Sequence, residues 1–538
     1  MNQLGYSGCV SMCEKHFIFV VKWNKMDNIQ NNSGMERTMK SRYSKVMTSV
    51  FWGIEGHPVE IETQILGGLP YHTIVGLPST VIKESKERVK AAIKSIGMKF
   101  PDEKIVQNMY PANLKKEGSH LDLPIAVGIF LSQCEVLSKQ WECYGFIGEL
   151  SLDGKIQPVQ GILSLVDGLK AHGIRHLIIP YENLPEAQYI EGITLYPYKS
   201  LGELFDHLKR GKVVNTEVSI TPFHIEKAYD IDFSEVWGQD LAIRALQVAV
   251  TGFHNVLIIG PPGCGKSMIA ERLKTIMPEM SLAEQIEITK IYGISNGEQP
   301  KGILTERPFR APHHTISRIG LVGGGNQISP GEISRAHRGI LYLDEIGEFR
   351  SDAIESLREP LSNKMVNLSK GGRALTFPSD FMLVATMNPC PCGHYLSDSE
   401  RCTCSHLDVQ RYFGKLSWPI LDRFDMLIYM NRVTIEDPLE QMKGRTKSSK
   451  RIREEIISAI NKRSTFSDEI SPDEISPDAE ALILKYHQSG KLSMRGYEKL
   501  VKLARTIATL EGVVNISSRH VLEAVRYHTG IQIDRFFK

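Results

Sequence analysis

The chain has almost no net charge, no long apolar run and no cysteine pattern of the disulfide kind. Its 538 residues carry 64 Lys+Arg against 62 Asp+Glu, a formal charge of +2. No global field announces nucleic acid, so any DNA contact has to come from local patches. The longest early apolar run, Phe17 to Val21, is far shorter than a bilayer span, and no signal-peptide cleavage pattern follows it. A membrane protein is therefore not expected, and a cytoplasmic one is. Nine cysteines is an odd count, and four of them crowd into residues 390–404. That suits a reducing compartment and a metal site better than a disulfide framework. No repeat exceeds the tandem Asp-Glu-Ile-Ser-Pro of residues 468–477, which reads as a tolerant surface loop whose Pro477 opens the next helix.

A chain of this length cannot form around one core, so two to four domains are expected. Residues 1–42 are polar, without sustained periodicity, and read as a poorly structured extension. Residues 43–210 change texture: alternating runs such as Val59-Glu60-Ile61-Glu62-Thr63 and a helical stretch from Glu84 to Ile96 predict an α/β domain. A linker at 211–229 leads to a second α/β domain at 230–433, and residues 434–538 are helical and charged. The basic stretch Lys443 to Arg453 within them is better explained as a solvated helix face than as a DNA contact.

The second domain carries the chemistry. Gly260-Pro261-Pro262-Gly263-Cys264-Gly265-Lys266-Ser267 is a complete Gly-x-x-x-x-Gly-Lys-Ser phosphate loop. The apolar run Val256 to Ile259 before it suits a buried strand, and a helical pattern follows from Met268. A strand, a glycine loop and a helix N-terminus make an anion cradle. Backbone N–H groups point at the phosphates of ATP, Lys266 reaches the β- and γ-phosphates, and the Ser267 hydroxyl ligates Mg2+. Cys264 fills a variable loop position. Downstream, Ile340-Leu341-Tyr342-Leu343 predicts a strand ending in Asp344, a second magnesium holder, with Glu345 as the base that polarises the attacking water. A third buried-strand candidate, Phe381 to Thr386, ends in Met387-Asn388-Pro389. Alone, Asn388 is a turn former.

Three further features stand out. Val366 to Thr376 forms two alternating runs around a glycine pair and predicts a β-hairpin with Lys370 and Arg373 at its tip. Cys390-Pro-Cys392 and Cys402-Thr-Cys404 are two Cys-x-Cys pairs nine residues apart, enough for a loop to close four thiolates on a structural Zn2+. His394 or His406 could replace one ligand, and a reduced cysteine-rich loop is the alternative. His313-His314 lacks cysteines or a glutamate at helical spacing nearby, which favours packing or hydrogen bonding over metal.

Together with Leu421-Asp422-Arg423-Phe424-Asp425 and Ser493-Met494-Arg495-Gly496, these motifs resemble the magnesium-chelatase-like AAA+ ATPases. Within that group the match is nearest to the ComM (YifB) family of bacterial branch-migration helicases, over roughly residues 42–538. The resemblance implies an AAA+ P-loop core with a helical lid at 434–538. It makes Asn388 the sensor of the γ-phosphate or its water, Arg423 a finger reaching a neighbouring subunit's γ-phosphate, and Arg495 the second sensor arginine. The hairpin becomes a pore element whose Lys370 and Arg373 track DNA phosphates. The cysteine knuckle becomes a surface feature open to DNA or a neighbouring subunit. Lys115 to Ala126 and Gly148 to Ile156 resemble a Lon-protease-type domain. Where Lon enzymes carry the Ser/Lys dyad, however, this chain has His120, with Ser119 one position off, and Leu163, so no activated nucleophile is expected. The implied function is a hexameric ring ATPase driving branch migration on single-stranded or branched DNA. The rivals are a magnesium-chelatase-like motor remodelling a protein partner and an ATP-dependent protease.

Overall fold

A computed structural model describes residues 42–134, 138–213, 229–295, 300, 302–325, 328–370, 373–395, 401–433, 447–463, 474–488, 490 and 492–533. The N-terminal extension, most of the linker and the first part of the Asp-Glu-Ile-Ser-Pro duplication lie outside them. Pro477, at the end of that duplication, is the first residue of the helix Pro477–Gln488.

The alternation in Glu55–Leu66 turns Val59, Ile61, Thr63 and Ile65 inward and leaves the residues between them solvated. This strand pairs antiparallel with Arg42–Trp52 along its whole length. Together they centre a seven-stranded sheet in the order Tyr71–Val75, Lys104–Tyr110, Glu55–Leu66, Arg42–Trp52, Tyr144–Phe146, His176–Pro180, Thr194–Tyr198. Helices cover both faces. Within His176–Pro180, Ile178 joins the core that includes helices Thr80–Ser95 and Asp122–Gln133. Its neighbours Leu177 and Ile179 join the core formed with Ile162–Ala171. A strand buried on both faces needs apolar residues at every position.

The second sheet obeys the same rule more strictly. All residues of Val256–Ile259, Ile340–Leu343 and Met382–Met387 are buried. Odd and even positions are shared between two cores: Val256 and Ile258 face the lid side, Leu257 and Ile259 the other. Its order is Phe309–Arg310, Ile340–Leu343, Met382–Met387, Val256–Ile259, Met426–Tyr429, and every pairing is parallel. The strand before Asn388 therefore lies between the strand before the phosphate loop and the strand before Asp344, although it follows both in sequence. The hairpin forms as expected, with Met365–Lys370 antiparallel to Arg373–Pro378 and Lys370 opposite Arg373 at the tip.

The C-terminal helices Met494–Leu510 and Ser518–Tyr527 share one apolar core with the phosphate-loop helix, through Ile269, Leu273, Leu500, Leu503, Ile507 and Val521. His254 adds a buried polar tie to Thr506 at 2.9 Å. The basic stretch is described only from Lys447 onward, where Lys447 and Arg451 pair with Glu455 at 2.8 and 3.6 Å, as a solvated helix face does. The first sheet's domain docks on the second through Asp167–Lys290 at 2.6 Å. Gly161 and Gly293 also meet there so closely that a Cβ on Gly293 would lie 2.9 Å from the Gly161 Cα. No described helix is long and apolar enough to cross a membrane.

Candidate nucleotide site

Parallel strands bring their carboxyl ends to one edge, where ligands of open α/β sheets bind. Here that edge gathers the phosphate loop, Asp344-Glu345 and Asn388. Gly263 and Gly265 take φ of +75° and +92°, a left-handed geometry that turns consecutive N–H groups into the loop. The helix Lys266–Ile276 starts directly behind it.

Lys266 is 9% exposed. Its ammonium donates to the carbonyls of Gly260 at 2.7 Å and Pro261 at 3.0 Å and to Asn388 Oδ1 at 3.1 Å. All three acceptors are neutral oxygens, so the charge is oriented without being neutralised by a direct ion pair. Burial lowers the Lys266 pKa, against the opposing pull of Cys264, Asp344 and Glu345. An anion such as the γ-phosphate relieves that burial cost.

Ser267 Oγ lies 3.3 and 3.2 Å from the two Asp344 oxygens, close enough for one Mg2+ to take both residues as ligands or as holders of its waters. Asp344 is further fixed by the Tyr342 hydroxyl at 2.8 Å and by the Thr386 hydroxyl. Burial is the main reason the Tyr342 pKa is raised, and the adjacent carboxylate adds to it, so the phenol stays a donor. Thr386 also accepts the Glu345 N–H at 2.9 Å. Glu345 has φ of +51°, costly for a residue with a Cβ, on the order of 1–3 kcal/mol. That backbone exposes its carboxylate beside Asp344, where an attacking water can be oriented. Tyr342 and Thr386 were not singled out from sequence as functional. Cys264 is buried in the core beneath the loop and burial raises its thiol pKa, which suits a filler of the loop.

The family models for magnesium chelatase subunit ChlI match residues 232–438, those for subunit ChlI of Mg-chelatase match residues 61–183, and the ChlI C-terminal model matches residues 440–528. The YifB protein of Salmonella typhimurium is 35% identical over 509 residues, covering 91% of this chain and 97% of YifB. The chain belongs to the ComM/YifB family of magnesium-chelatase-like AAA+ ATPases. The competence protein ComM of Haemophilus influenzae is 34% identical over 494 residues, 89% of this chain and 96% of ComM. Lon protease 2 of Bacillus subtilis is 30% identical over 148 residues, 27% of this chain and 26% of that protein.

In this ComM/YifB chain the two arginines expected to serve the nucleotide, Arg423 and Arg495, meet at Asp422. Asn255, just before Val256–Ile259, donates its side-chain amide to the Arg423 carbonyl at 3.0 Å, so Arg423 lies at the amino end of the sheet. Its own phosphate loop is a strand length away, about 13 Å. Asp422 accepts from Arg423 at 3.5 Å and from Arg495 at 2.7 Å. Lys499 donates to the Asp422 carbonyl and, at 3.0 Å, to the Phe424 carbonyl. Burial and then the Arg495 charge lower the Arg423 pKa. The two arginines are one cluster around Asp422.

The four cysteines also come together, with every Sγ within 4.8 Å of the others. Cys390 lies 3.3 Å from Cys392 and 3.7 Å from Cys402, and Cys392 lies 3.5 Å from Cys402. A tetrahedron with metal–sulfur bonds of about 2.3 Å has edges of roughly 3.8 Å, so the set can hold a metal ion. Backbone N–H groups of Tyr395 and Cys392 point at the sulfurs of Cys390 and Cys404, at 3.3 and 3.4 Å. Neither His394 nor His406 joins the group. The knuckle reaches the surface through Pro391, Arg401 and Thr403, which are exposed, while at its base Cys390 is fully buried, and a Cβ on Gly393 would meet Pro262 Cδ of the phosphate loop at 2.5 Å.

His313 and His314 lie against each other with ring centroids 4.0 Å apart and planes tilted by 35°, His313 bonds the Thr315 hydroxyl at 2.9 Å, and His314 packs edge-on against Phe349, in keeping with packing and hydrogen bonding. In the Lon-like domain, His120 is buried, held at 3.0 Å from the Ser49 carbonyl, and its pKa is lowered to about 4 by burial. The Ser119 hydroxyl bonds Glu149, and Leu163 is fully buried among apolar residues. The side chains of Lys370 and Arg373 lie outside the described residues; only their backbone register is fixed.

Proposed function

We propose that this AAA+ ATPase is a cytoplasmic, ring-forming DNA motor, hexameric and without peptidase activity, that promotes branch migration of recombination intermediates during integration of incoming DNA. One observation carries the reading. The sensor strand that ends in Asn388 is entered directly from a hairpin with a lysine opposite an arginine at its tip. Movement of the γ-phosphate sensor is thereby linked to two cations suited to phosphate backbones. The middle of the hairpin is also braced, since Leu368 packs near Gly323 and the Thr376 carbonyl near Gly53.

The placement of Arg423 supports a ring. A guanidinium at the amino end of its own sheet serves a nucleotide only if that nucleotide belongs to an adjacent copy. An arginine supplied between subunits stabilises transition-state charge and couples hydrolysis to relative motion. ATP and Mg2+ bind at Gly260 to Ser267 with Asp344, Glu345 orients water, and Asn388 senses the γ-phosphate. The four cysteines hold Zn2+, their soft thiolates and closed coordination fitting a structural ion. The relative ComM is named for competence, which agrees with the pathway.

The test is ATP turnover with and without single-stranded and branched DNA, using Glu345→Gln as the blank. Several-fold stimulation that disappears in Lys370→Ala and Arg373→Ala, with basal turnover intact, supports the DNA motor. Turnover indifferent to DNA overturns it in favour of a magnesium-chelatase-like motor acting on a protein partner.

A further inference from the structure

The cysteine knuckle lies where it can govern nucleotide binding. It begins two residues after Asn388, whose side chain contacts Lys266 at 3.1 Å. Its first turn places Gly393, at φ of +85°, against Pro262, with no room for a methyl group between them. The next residue but one, Tyr395, offers its carbonyl to the Tyr429 hydroxyl at 3.1 Å, and Tyr429 ends the strand paired with Ile259 immediately before the phosphate loop. On the return side, Cys402 and Cys404 lead through the Ser405 capping box into the helix His406–Phe413. That helix carries Tyr412, whose hydroxyl faces Gly347 just past Glu345. The two halves of the knuckle thus touch the phosphate loop, the strand beside it and the segment after the base, and four sulfurs join the halves.

We propose that Zn2+ bound by Cys390, Cys392, Cys402 and Cys404 is a brace for the phosphate loop, so that ATP affinity depends on the metal. This rests on the zinc reading given above. Closing the segment from Cys390 to Cys404 removes loop entropy and fixes Gly393 and Tyr395 in one place. Four thiols drawn this close without an ion have only weak hydrogen bonds to hold them. Freed, the segment no longer buttresses Pro262, and the glycine-rich loop samples conformations in which its N–H groups do not converge. The expected loss is in nucleotide binding, because the DNA hairpin is on a separate segment.

Purified full-length protein is assayed for metal by elemental mass spectrometry and for binding of a fluorescent ATP analogue in Mg2+. Binding is compared as isolated, after a zinc-selective chelator, and after zinc is returned. One zinc per chain is expected, with affinity falling about tenfold on depletion, in the range seen for outer-shell supports of metal sites, and recovering on reloading. Should depletion unfold the protein, Gly393→Ala decides the matter: it keeps all four ligands and its metal but drives a methyl group into Pro262, and its affinity falls by a similar factor. Metal-loaded and depleted proteins that bind nucleotide within twofold of each other overturn the brace and leave the zinc. An unchanged affinity in Gly393→Ala does the same. Protein that carries no zinc and takes none up overturns both.

Discussion

The two α/β regions of this chain hold their polar groups in opposite ways, and the difference separates a site with exchangeable partners from one without. At the carboxyl edge of the ATPase sheet, Lys266 bonds three neutral oxygens, Ser267 sits against a carboxylate, and Asp344 and Glu345 are exposed. Those partners can be exchanged for phosphate oxygens and a metal. In the Lon-like domain the corresponding dyad positions are His120, locked on the Ser49 carbonyl, and Leu163, an apolar residue in an apolar core. The first arrangement retains an oriented, incompletely neutralised charge; the second has no charge to offer. The turn preceding Leu163 has also become a contact with the motor, through Gly161 and Gly293.

The comparison breaks most sharply at Lys266. Lys266→Ala should lower ATP turnover by on the order of a thousandfold and also abolish nucleotide binding, because the cation is part of the cradle. Glu345→Gln should lose turnover to a similar extent while still binding nucleotide. If Lys266→Ala turned over ATP at near-parental rate, the site would lie elsewhere. Arg423→Ala should cost about a thousandfold as well, as arginine fingers do. Mixing it with Lys266→Ala chains should restore part of the activity, since an intact loop from one chain then meets an intact arginine from the other. Absence of any recovery in mixed assemblies, with assembly confirmed, would place Arg423 outside a shared site.

The local elements around the nucleotide site were legible where structure follows spacing along the chain. The phosphate loop, the strand before Asp344 and the basic-tipped hairpin are local patterns, and each forms where its residues predict. What could not be read depends on strand order. Thr386 reaches Asp344 and Glu345 only because its strand inserts beside theirs, an adjacency that no spacing encodes. Asp422 joins Arg423 to Arg495 across 73 residues, a pairing made by lid docking. The cysteine cluster was evident from two Cys-x-Cys pairs, but its contact with Pro262 arises because the strand before the phosphate loop and the strand before Asn388 are neighbours. The Lon-like domain was legible in the opposite sense: the residue types expected at the dyad positions, His120 and Leu163, pointed away from a nucleophile before any geometry was available.

The front domain can be pushed towards catalysis, and the attempt should fail in a defined way. His120→Ser with Leu163→Lys restores the dyad's residue types, yet it places an ammonium in a fully buried apolar cluster. The expected result is no casein degradation and a loss of about 3–5 kcal/mol of stability, the scale for an uncompensated buried charge, seen as a lowered denaturation midpoint. Peptidase activity in this variant would show that the cleft had kept its shape and that only side chains had been lost.

The smallest effect is on pH. His120 in the front domain and His528 in the lid both have pKa values lowered to about 4, chiefly by burial, each with one ring nitrogen on a backbone carbonyl. Their unfolded-state values are near 6.5, so between about pH 6.5 and 4 the unfolded chain binds more protons. Stability must then fall as pH drops through that window and be unaffected by these groups above it. Each histidine should remove about 1 kcal/mol between pH 7 and 5.5. His120→Asn and His528→Asn, which cannot take up a proton, should each flatten that slope by the same amount, measured from denaturant midpoints at the two pH values. A slope unchanged by His120→Asn would mean that the front-domain histidine reaches solvent and titrates freely. The dyad position would then be an open cleft instead of a filled one, and the contrast with the motor site would lose its basis.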